Sequence, residues 1–328
     1  MKTILILYGG CSSEYEVSLQ SAQAVLEHLN PQRWRALPVH ITRIGQWTFE
    51  DAPCTLRLDR GRAALLLSDG RELTFDGAFP VLHGKNGEDG TVQGLLELAG
   101  VPLIGCGTLS SALCMDKDRA HKLAALAGVR VPRGRAFPQG TPLSELESCA
   151  RELGWPLFVK PVRAGSSFGI SQVACLEGLG PAVSAAFSHD REALLEEAVP
   201  GFEVGCAVLG NSPELTVGAV DEIELSGGYF DYEEKYSLKT SAIHCPARIP
   251  PEKAREIQEA AKTVYTALDC RGFARVDFFL APEGEVIFNE VNTIPGFTAH
   301  SRYPNMMKAI GLDFTALLDR LIELGVGE

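Results

Sequence analysis

Residues Gly272–Pro304 read GFARVDFFLAPEGEVIFNEVNTIPGFTAHSRYP. Phe273–Leu280 is rich in Phe, Val and Ala, Pro282-Glu283-Gly284 supplies a turn, and Val286–Val291 returns, which predicts a β-hairpin. Two acids and an amide interrupt these otherwise apolar strands: Asp277, Glu290 and Asn292. Side chains alternate along a strand, so Glu290 and Asn292 share one face, and counting back through the turn sets Asp277 roughly opposite that pair on the partner strand. A carboxylate in a sheet is costly unless it is paired or metal-bound. Three convergent oxygen donors suit a hard cation such as Mg²⁺. The competing reading is a solvated sheet face on which Arg275, two residues before Asp277, neutralises the acid. The Thr293–Gly296 turn and the polar run His300-Ser301-Arg302 favour a site.

At 328 residues the chain exceeds one simple core, and two or three domains are expected. Its hydrophobic fraction of 45% and charged fraction of 22% are those of a soluble globular protein. A net charge of −12 argues against a general nucleic-acid binder. The apolar run Ile4–Tyr8 ends at Gly9-Gly10, too short for a signal segment or a membrane span. The nine cysteines are scattered without CxxC spacing, which reads as buried thiols in a reducing cytoplasm.

The chain opens as strand, Gly-Gly loop and helix, with Leu19, Ala22, Leu26 and Leu29 as the expected apolar helix face. The loop carries acids and lacks GxGxxG, so a cationic ligand group suits it better than a phosphate. Glu16 is equally read as an ordinary first-turn acid complementing the helix dipole. Strands are expected at Arg35–Ile44, at Phe79–Leu82 and at Val101–Ile104, with a partly β insertion over Ala52–Phe75. The polar loop His83–Gly90 follows a strand end, where open α/β sheets place ligands. A charged helix begins near Asp116. Lys160 at a strand end, followed by the Gly/Ser loop Arg163–Gly169, forms a candidate phosphate cradle, with a plain hairpin turn as the alternative. The connection 227–246 has no periodicity, as expected of a lid. A helix with face Ile257, Ala260, Ala261, Val264 and Leu268 precedes the hairpin, and Phe314, Leu317, Leu318, Leu321 and Leu324 mark a closing helix.

Taken in order, GGCSSEYEVSLQSA, LHGKNGEDGTVQG, MDK, VKPVRAGSSFG, EKY, GFARVD and NEVNTIPGFTAHSRYP resemble the D-alanine–D-X ligases of the ATP-grasp superfamily over essentially the whole chain. The resemblance implies an α/β fold of three-domain ATP-grasp architecture with a Rossmann-like N-terminal domain. The expected division is 1–112, 113–201 and 202–328, the last carrying the lid 227–246. It implies ATP and two Mg²⁺ ions (or Mn²⁺), phosphorylation of the carboxylate of a first D-alanine, and attack by the amine of a second substrate. Asp277, Glu290 and Asn292 match the metal ligands. Lys117, Lys160, Ser167 and Lys235 match phosphate contacts, and Glu196 and Glu203 match groups that read the adenine side and the ribose. Glu16 matches the acid that holds the first substrate's ammonium, linked through Ser166 and Tyr236 to the lid. Arg275 and the Gly296 amide match oxyanion stabilisers, His83 lies near the first substrate, and Ser301 matches a contact to the second.

Arg302-Tyr303 after Ser301, where many housekeeping D-alanine–D-alanine ligases carry Leu, resembles the vancomycin-resistance ligases. Glu196–Val199 lacks the housekeeping Lys-Trp and leans the same way, while the intact Glu234-Lys235-Tyr236 differs from the D-lactate group. The combination is similar to the D-alanine–D-serine branch, with Arg302 expected to help hold the second substrate's carboxylate. D-alanine–D-alanine ligation is the nearest alternative, and a non-catalytic ligand-binding protein a remote one. The resemblance also implies a cytoplasmic homodimer with D-alanine and D-serine as its small-molecule substrates and no membrane partner.

Overall fold

The computed structural model describes residues 1–59, 62–165, 168–225, 241–298 and 300–327. Ser166, Ser167, Lys235, Tyr236 and most of the expected lid lie outside the described residues. Three sheets follow one another along the chain.

The first contains β1 (Lys2–Gly9), β2 (Trp34–Ile41), β3 (Trp47–Phe49), β4 (Ala52–Asp59), β5 (Arg62–Leu67), β6 (Glu72–Thr74) and β7 (Gly77–Val81), in the order β6-β5-β4-β3-β2-β1-β7. β1 runs parallel to β2 and β7. Ile4, Leu5, Ile6 and Leu7 are all fully buried, as a parallel strand covered on both faces requires. Helix α1 (Tyr15–His28) crosses from β1 to β2. Its buried face is Ser18, Ser21, Ala22 and Val25, rotated from the expected leucine stripe. The cause is local: Ser18 Oγ accepts the Gly9 N–H at 2.8 Å and donates to the Val81 carbonyl, so a small hydroxyl residue must face the sheet. Val101–Ile104 forms only an isolated bridge, Ala78 to Leu103, instead of the expected strand. Helices α2 (Thr91–Leu98) and α3 (Thr108–Met115) complete this part.

Helix α4 (Lys117–Leu126) starts at Asp116, whose side chain accepts the Arg119 N–H at 3.0 Å. Its charge does not make a wholly solvated face, because Lys117 and His121 are buried. The second sheet is antiparallel, in the order β10-β9-β11-β8, from β8 (Gly134–Pro138), β9 (Leu157–Pro161), β10 (Ser171–Val173) and β11 (Glu192–Glu197). Helices α5 (Leu143–Leu153) and α6 (Leu179–Phe187) cover it. The third sheet is antiparallel, in the order β14-β13-β12-β15-β16, from β12 (Phe202–Asn211), β13 (Glu214–Leu225), β14 (Ser241–His244), β15 (Phe273–Leu280) and β16 (Val286–Asn292). The end of the expected lid is therefore strand β14, paired with β13. Helix α7 (Pro251–Ala267) packs on this sheet, and α8 (Arg302–Lys308) and α9 (Phe314–Val326) follow the hairpin. Among the described residues no helix is long and apolar enough to cross a membrane.

The cores do not follow the sheets one for one. Leu317, Leu318, Leu321 and Ile322 of α9 join Ile4, Ile6, Ala22 and Val25 in a single core, so the closing helix serves the first sheet. Cys114, Ala120 and Ala124 of α3 and α4 pack with Ile257, Ala261 and Phe288, so the segment after residue 112 serves the third sheet. At the junction of first and third sheets, Phe79, Phe273 and Phe297 meet edge to face at centroid distances of 5.4–5.9 Å. Gly272, at φ +65°, lies against Gly105, where an added Cβ would sit 2.9 Å from the Gly105 Cα.

Candidate active site

The hairpin sets Asp277 opposite Glu290 and Arg275 opposite Asn292, through a one-residue bulge at Asn289 that shifts the pairing from the Phe278–Phe288 register nearer the turn. Arg275 donates through Nε to Asp277 Oδ1 at 2.8 Å and through Nη2 to Oδ2 at 2.7 Å, a fork that fixes both side chains. Beside them a cleft opens between elements of all three sheets, lined by Glu14, Glu88, Lys117, Gly165, Glu290 and Asn292 among others. Lys117 Nζ donates to the Ala164 carbonyl at 2.7 Å and lies 3.9 Å from Glu290 Oε2. The first turn of α4 thereby brings its ammonium to the metal-ligand candidates.

At the N-terminal wall the structure corrects one expectation. Glu16 is in the first turn of α1 with its side chain 68% exposed, paired with Arg43 at 2.6 Å. Glu14, the last residue before the helix, is buried and faces the cleft. A Cβ on Gly84 would lie 2.8 Å from Glu14 Oε1 and one on Gly165 3.0 Å, so glycines on both neighbouring loops make room for this carboxylate. Ser12 Oγ accepts the Glu14 N–H at 3.1 Å and donates to the His83 carbonyl at 2.6 Å, which locks the loop. Of the two loop acids, Glu14 and not Glu16 is the one on the cleft.

His83 does not line the cleft. Its Nε2 meets Ser21 Oγ at 3.0 Å, and burial pushes the imidazole pKa down, so it is a neutral anchor between the loop and α1. Glu88, in the same loop, was not singled out by the sequence. Its carboxyl accepts the Gly84 N–H at 2.6 Å and the Ile294 N–H. Burial, and then the charge of Glu14, raise its pKa to about 8. The run GKNGEDG offered two acids, and nothing in their spacing says which one turns inward.

In the second sheet, β9 and β11 set Lys160 opposite Leu194, and Lys160 Nζ donates to Glu196 Oε1 at 2.5 Å. The Glu196 Oε2 atom is buried with no hydrogen-bond partner among the described residues. His121 lies 3.6 Å from that atom, and its burial lowers its pKa. Glu203 accepts from Arg302 Nη1 at 2.7 Å. Ser301 Oγ accepts the Thr298 N–H at 2.9 Å, and a Cβ on Gly296 would lie 2.9 Å from it, so the 296–301 turn closes on this hydroxyl.

Arg302 differs from expectation. Its guanidinium is buried and turned into the third sheet, where it pairs with Asp221, Glu203 and Asp277. It is not presented to a substrate carboxylate.

A hard cation fits the hairpin. Asn292 Oδ1 is a buried acceptor with no hydrogen-bond partner among the described residues, on the cleft wall beside Glu290. Among the described residues no group of three His, Cys, Asp or Glu side chains is placed to hold a metal. The candidate donors are the Glu290 carboxylate and Asn292 amide on the cleft wall and, behind them, the Asp277 carboxylate held by Arg275, a sparse set that suits an ion keeping water and phosphate oxygens as its other ligands.

Comparison with known proteins identifies the family of the chain. The family described as D-ala D-ala ligase N-terminus matches residues 3–106, and D-ala D-ala ligase C-terminus matches residues 128–323. The chain is 44% identical over 340 residues to the vancomycin B-type resistance protein VanB of Enterococcus faecalis, covering 98% of each. It is 42% identical over 350 residues to a D-alanine–D-alanine ligase of Chlorobium phaeovibrioides, covering 99% of this chain and 97% of that protein. The crystal structure of the VanG D-Ala:D-Ser ligase from Enterococcus faecalis superposes with a TM-score of 0.92 at 54% identity, covering 99% of both chains. With both halves matched and the whole length aligned, the chain belongs to the D-alanine–D-alanine ligase family and has its ATP-grasp architecture.

Proposed function

We propose that the protein joins D-alanine to D-serine with hydrolysis of ATP to ADP and phosphate, for peptidoglycan precursor synthesis and vancomycin resistance. The observation that carries the ligase reading is the convergence of Glu14, Lys117, Glu290 and Asn292 on one cleft. The 54% identity to a structure titled D-Ala:D-Ser ligase supports serine as the second substrate. Relatives named D-alanine–D-alanine ligase at 42% identity keep that activity as the second reading.

In this reading Glu14 pairs with the ammonium of the first D-alanine and sets its carboxylate towards the nucleotide. Lys117 and Lys160 neutralise phosphate oxygens as the terminal phosphoryl group moves to that carboxylate, releasing ADP. The amine of the second substrate attacks the acyl phosphate. Arg275, whose Nε and Nη2 are committed to Asp277, offers Nη1 to the developing oxyanion together with the Gly296 amide, and phosphate then leaves. Asp277, Glu290 and Asn292 would hold Mg²⁺, which neutralises phosphate charge when bound. Ser166, Ser167, Lys235 and Tyr236 belong to the proposal through the family motif alone. We also propose a cytoplasmic homodimer; Leu98 on α2 and Leu109 on α3, 83% and 60% exposed, are apolar positions suited to an interface.

The test is ADP release with Mg²⁺-ATP and D-Ala alone, D-Ala plus D-Ser, or D-Ala plus D-lactate. No ADP in any mixture would sink the ligase reading. Equal turnover with D-Ala alone and no mixed dipeptide would sink serine.

A further inference from the structure

The Asp221–Arg302 pair behind the hairpin has no role in the chemistry above. Arg302 begins α8 with its side chain 7% exposed. Nε and Nη2 donate to the two oxygens of Asp221 at 2.8 and 2.7 Å, Nη1 donates to Glu203 Oε1 at 2.7 Å, and Nη2 lies 3.4 Å from Asp277 Oδ1. Strands β12, β13 and β15 thus each send one carboxylate to a single guanidinium. The crossing needs glycine at 205: a Cβ there would overlap Arg302 Nη2 and sit 2.7 Å from Asp277 Oδ1 and 2.9 Å from Asp221 Oδ1.

The three acids differ in position. Asp221 and Asp277 are both fully buried, Glu203 is partly exposed, and none of the three lines the cleft; Asp221, held bidentately, is the counter-charge that keeps Arg302 inside the protein. Glu203 and Asp277 are the groups assigned above to the ribose and the metal. Because the bidentate pair with Asp221 fixes the plane of the guanidinium, its remaining N–H groups point in fixed directions. We propose that the Asp221–Arg302 pair is a positioning strut that holds the ribose carboxylate and the metal carboxylate in one rigid arrangement, and that it acts on the nucleotide rather than on the second substrate. This rests on the ligase reading of the site. Outer partners that orient metal ligands typically change metal affinity about 10- to 100-fold when removed.

Removing Arg302 alone would strand a buried Asp221, so the test uses the double variant Asp221→Ile/Arg302→Leu, which replaces the pair by apolar side chains. Binding of Mg-ADP is measured by calorimetry and of Mn²⁺ by electron paramagnetic resonance, beside the KM of each substrate. The expected result is a folded protein that binds Mg-ADP and Mn²⁺ about tenfold or more weakly, with the KM for the second amino acid unchanged. Unchanged affinities in the folded double variant, or a loss confined to that KM, overturn the strut. If the double variant does not fold, Arg302→Lys decides: lysine keeps the charge but cannot serve three carboxylates at once, and wild-type Mg-ADP affinity in it also overturns the strut. Wild-type protein that fails to bind Mg-ADP removes the ligase reading, and the strut with it.

Discussion

Replacing Glu14 by Gln and, separately, Glu16 by Gln sets the two acids of the first loop against each other. Both substitutions keep shape and remove charge. Glu14 is buried between Gly84 and Gly165 on the cleft wall, so its carboxylate meets an incoming ammonium with little water to screen it. A charge-assisted hydrogen bond of that kind contributes about 1.5–3 kcal/mol, which corresponds to a rise of roughly 10- to 100-fold in the KM for the first D-alanine. Glu16 is 68% exposed and its partner Arg43 56% exposed, and such surface pairs contribute under about 1 kcal/mol. The assay is coupled ADP release at saturating second substrate, with D-alanine varied over the range of the first site. Glu14→Gln should raise that KM tenfold or more while Glu16→Gln stays within about twofold of wild type. A larger effect at Glu16 than at Glu14 refutes the assignment.

Glu290→Gln is expected to abolish turnover while the melting temperature stays near wild type; unchanged activity with Mg²⁺ removes Glu290 from the metal site. Glu88, with its carboxyl raised to about 8 in the fold, binds a proton that the unfolded chain releases near its ordinary value of 4.5. Its contribution to stability is therefore present below that lower value and is lost as pH rises through about 8. Glu88→Gln should flatten the fall in urea stability between pH 5 and pH 9, and an identical slope in both proteins contradicts this. Gly205→Ala should destabilise by about 1–3 kcal/mol through overpacking against Arg302, Asp221 and Asp277, read as a lowered denaturation midpoint. Leu318→Ala should cost about 2–5 kcal/mol, and loss of the first sheet's structure should coincide with loss of the third's, because its core is shared between them.

The two strands of the hairpin and its turn were legible from apolar runs and turn residues alone. Strict alternation back from the turn would set Asp277 opposite Asn289, and a one-residue bulge, which nothing in the sequence announces, brings it opposite Glu290. The acid of the first loop was misread because the helix start is not written in the sequence. With α1 beginning at Tyr15, Glu14 and Glu16 lie on either side of the boundary, and two positions along a helix turn a side chain by about 200°. Arg302 was misread for a different reason. Its neighbours in sequence are substrate-facing candidates, but the partner that turns it inward is Asp221, 81 residues away on strand β13. Buried charges are placed by such distant partners, which alternation and spacing do not reveal.

Helix α9 has a consequence for the order in which the chain acquires structure during synthesis. Strand β1 and helix α1 leave the ribosome early, yet the apolar surface formed by Ile4, Ile6 and Val25 is covered in part by Leu317, Leu318 and Leu321, some 300 residues later. The first sheet therefore travels with an open flank while the second and third sheets are being made. Such a surface invites premature association until α9 emerges and closes it.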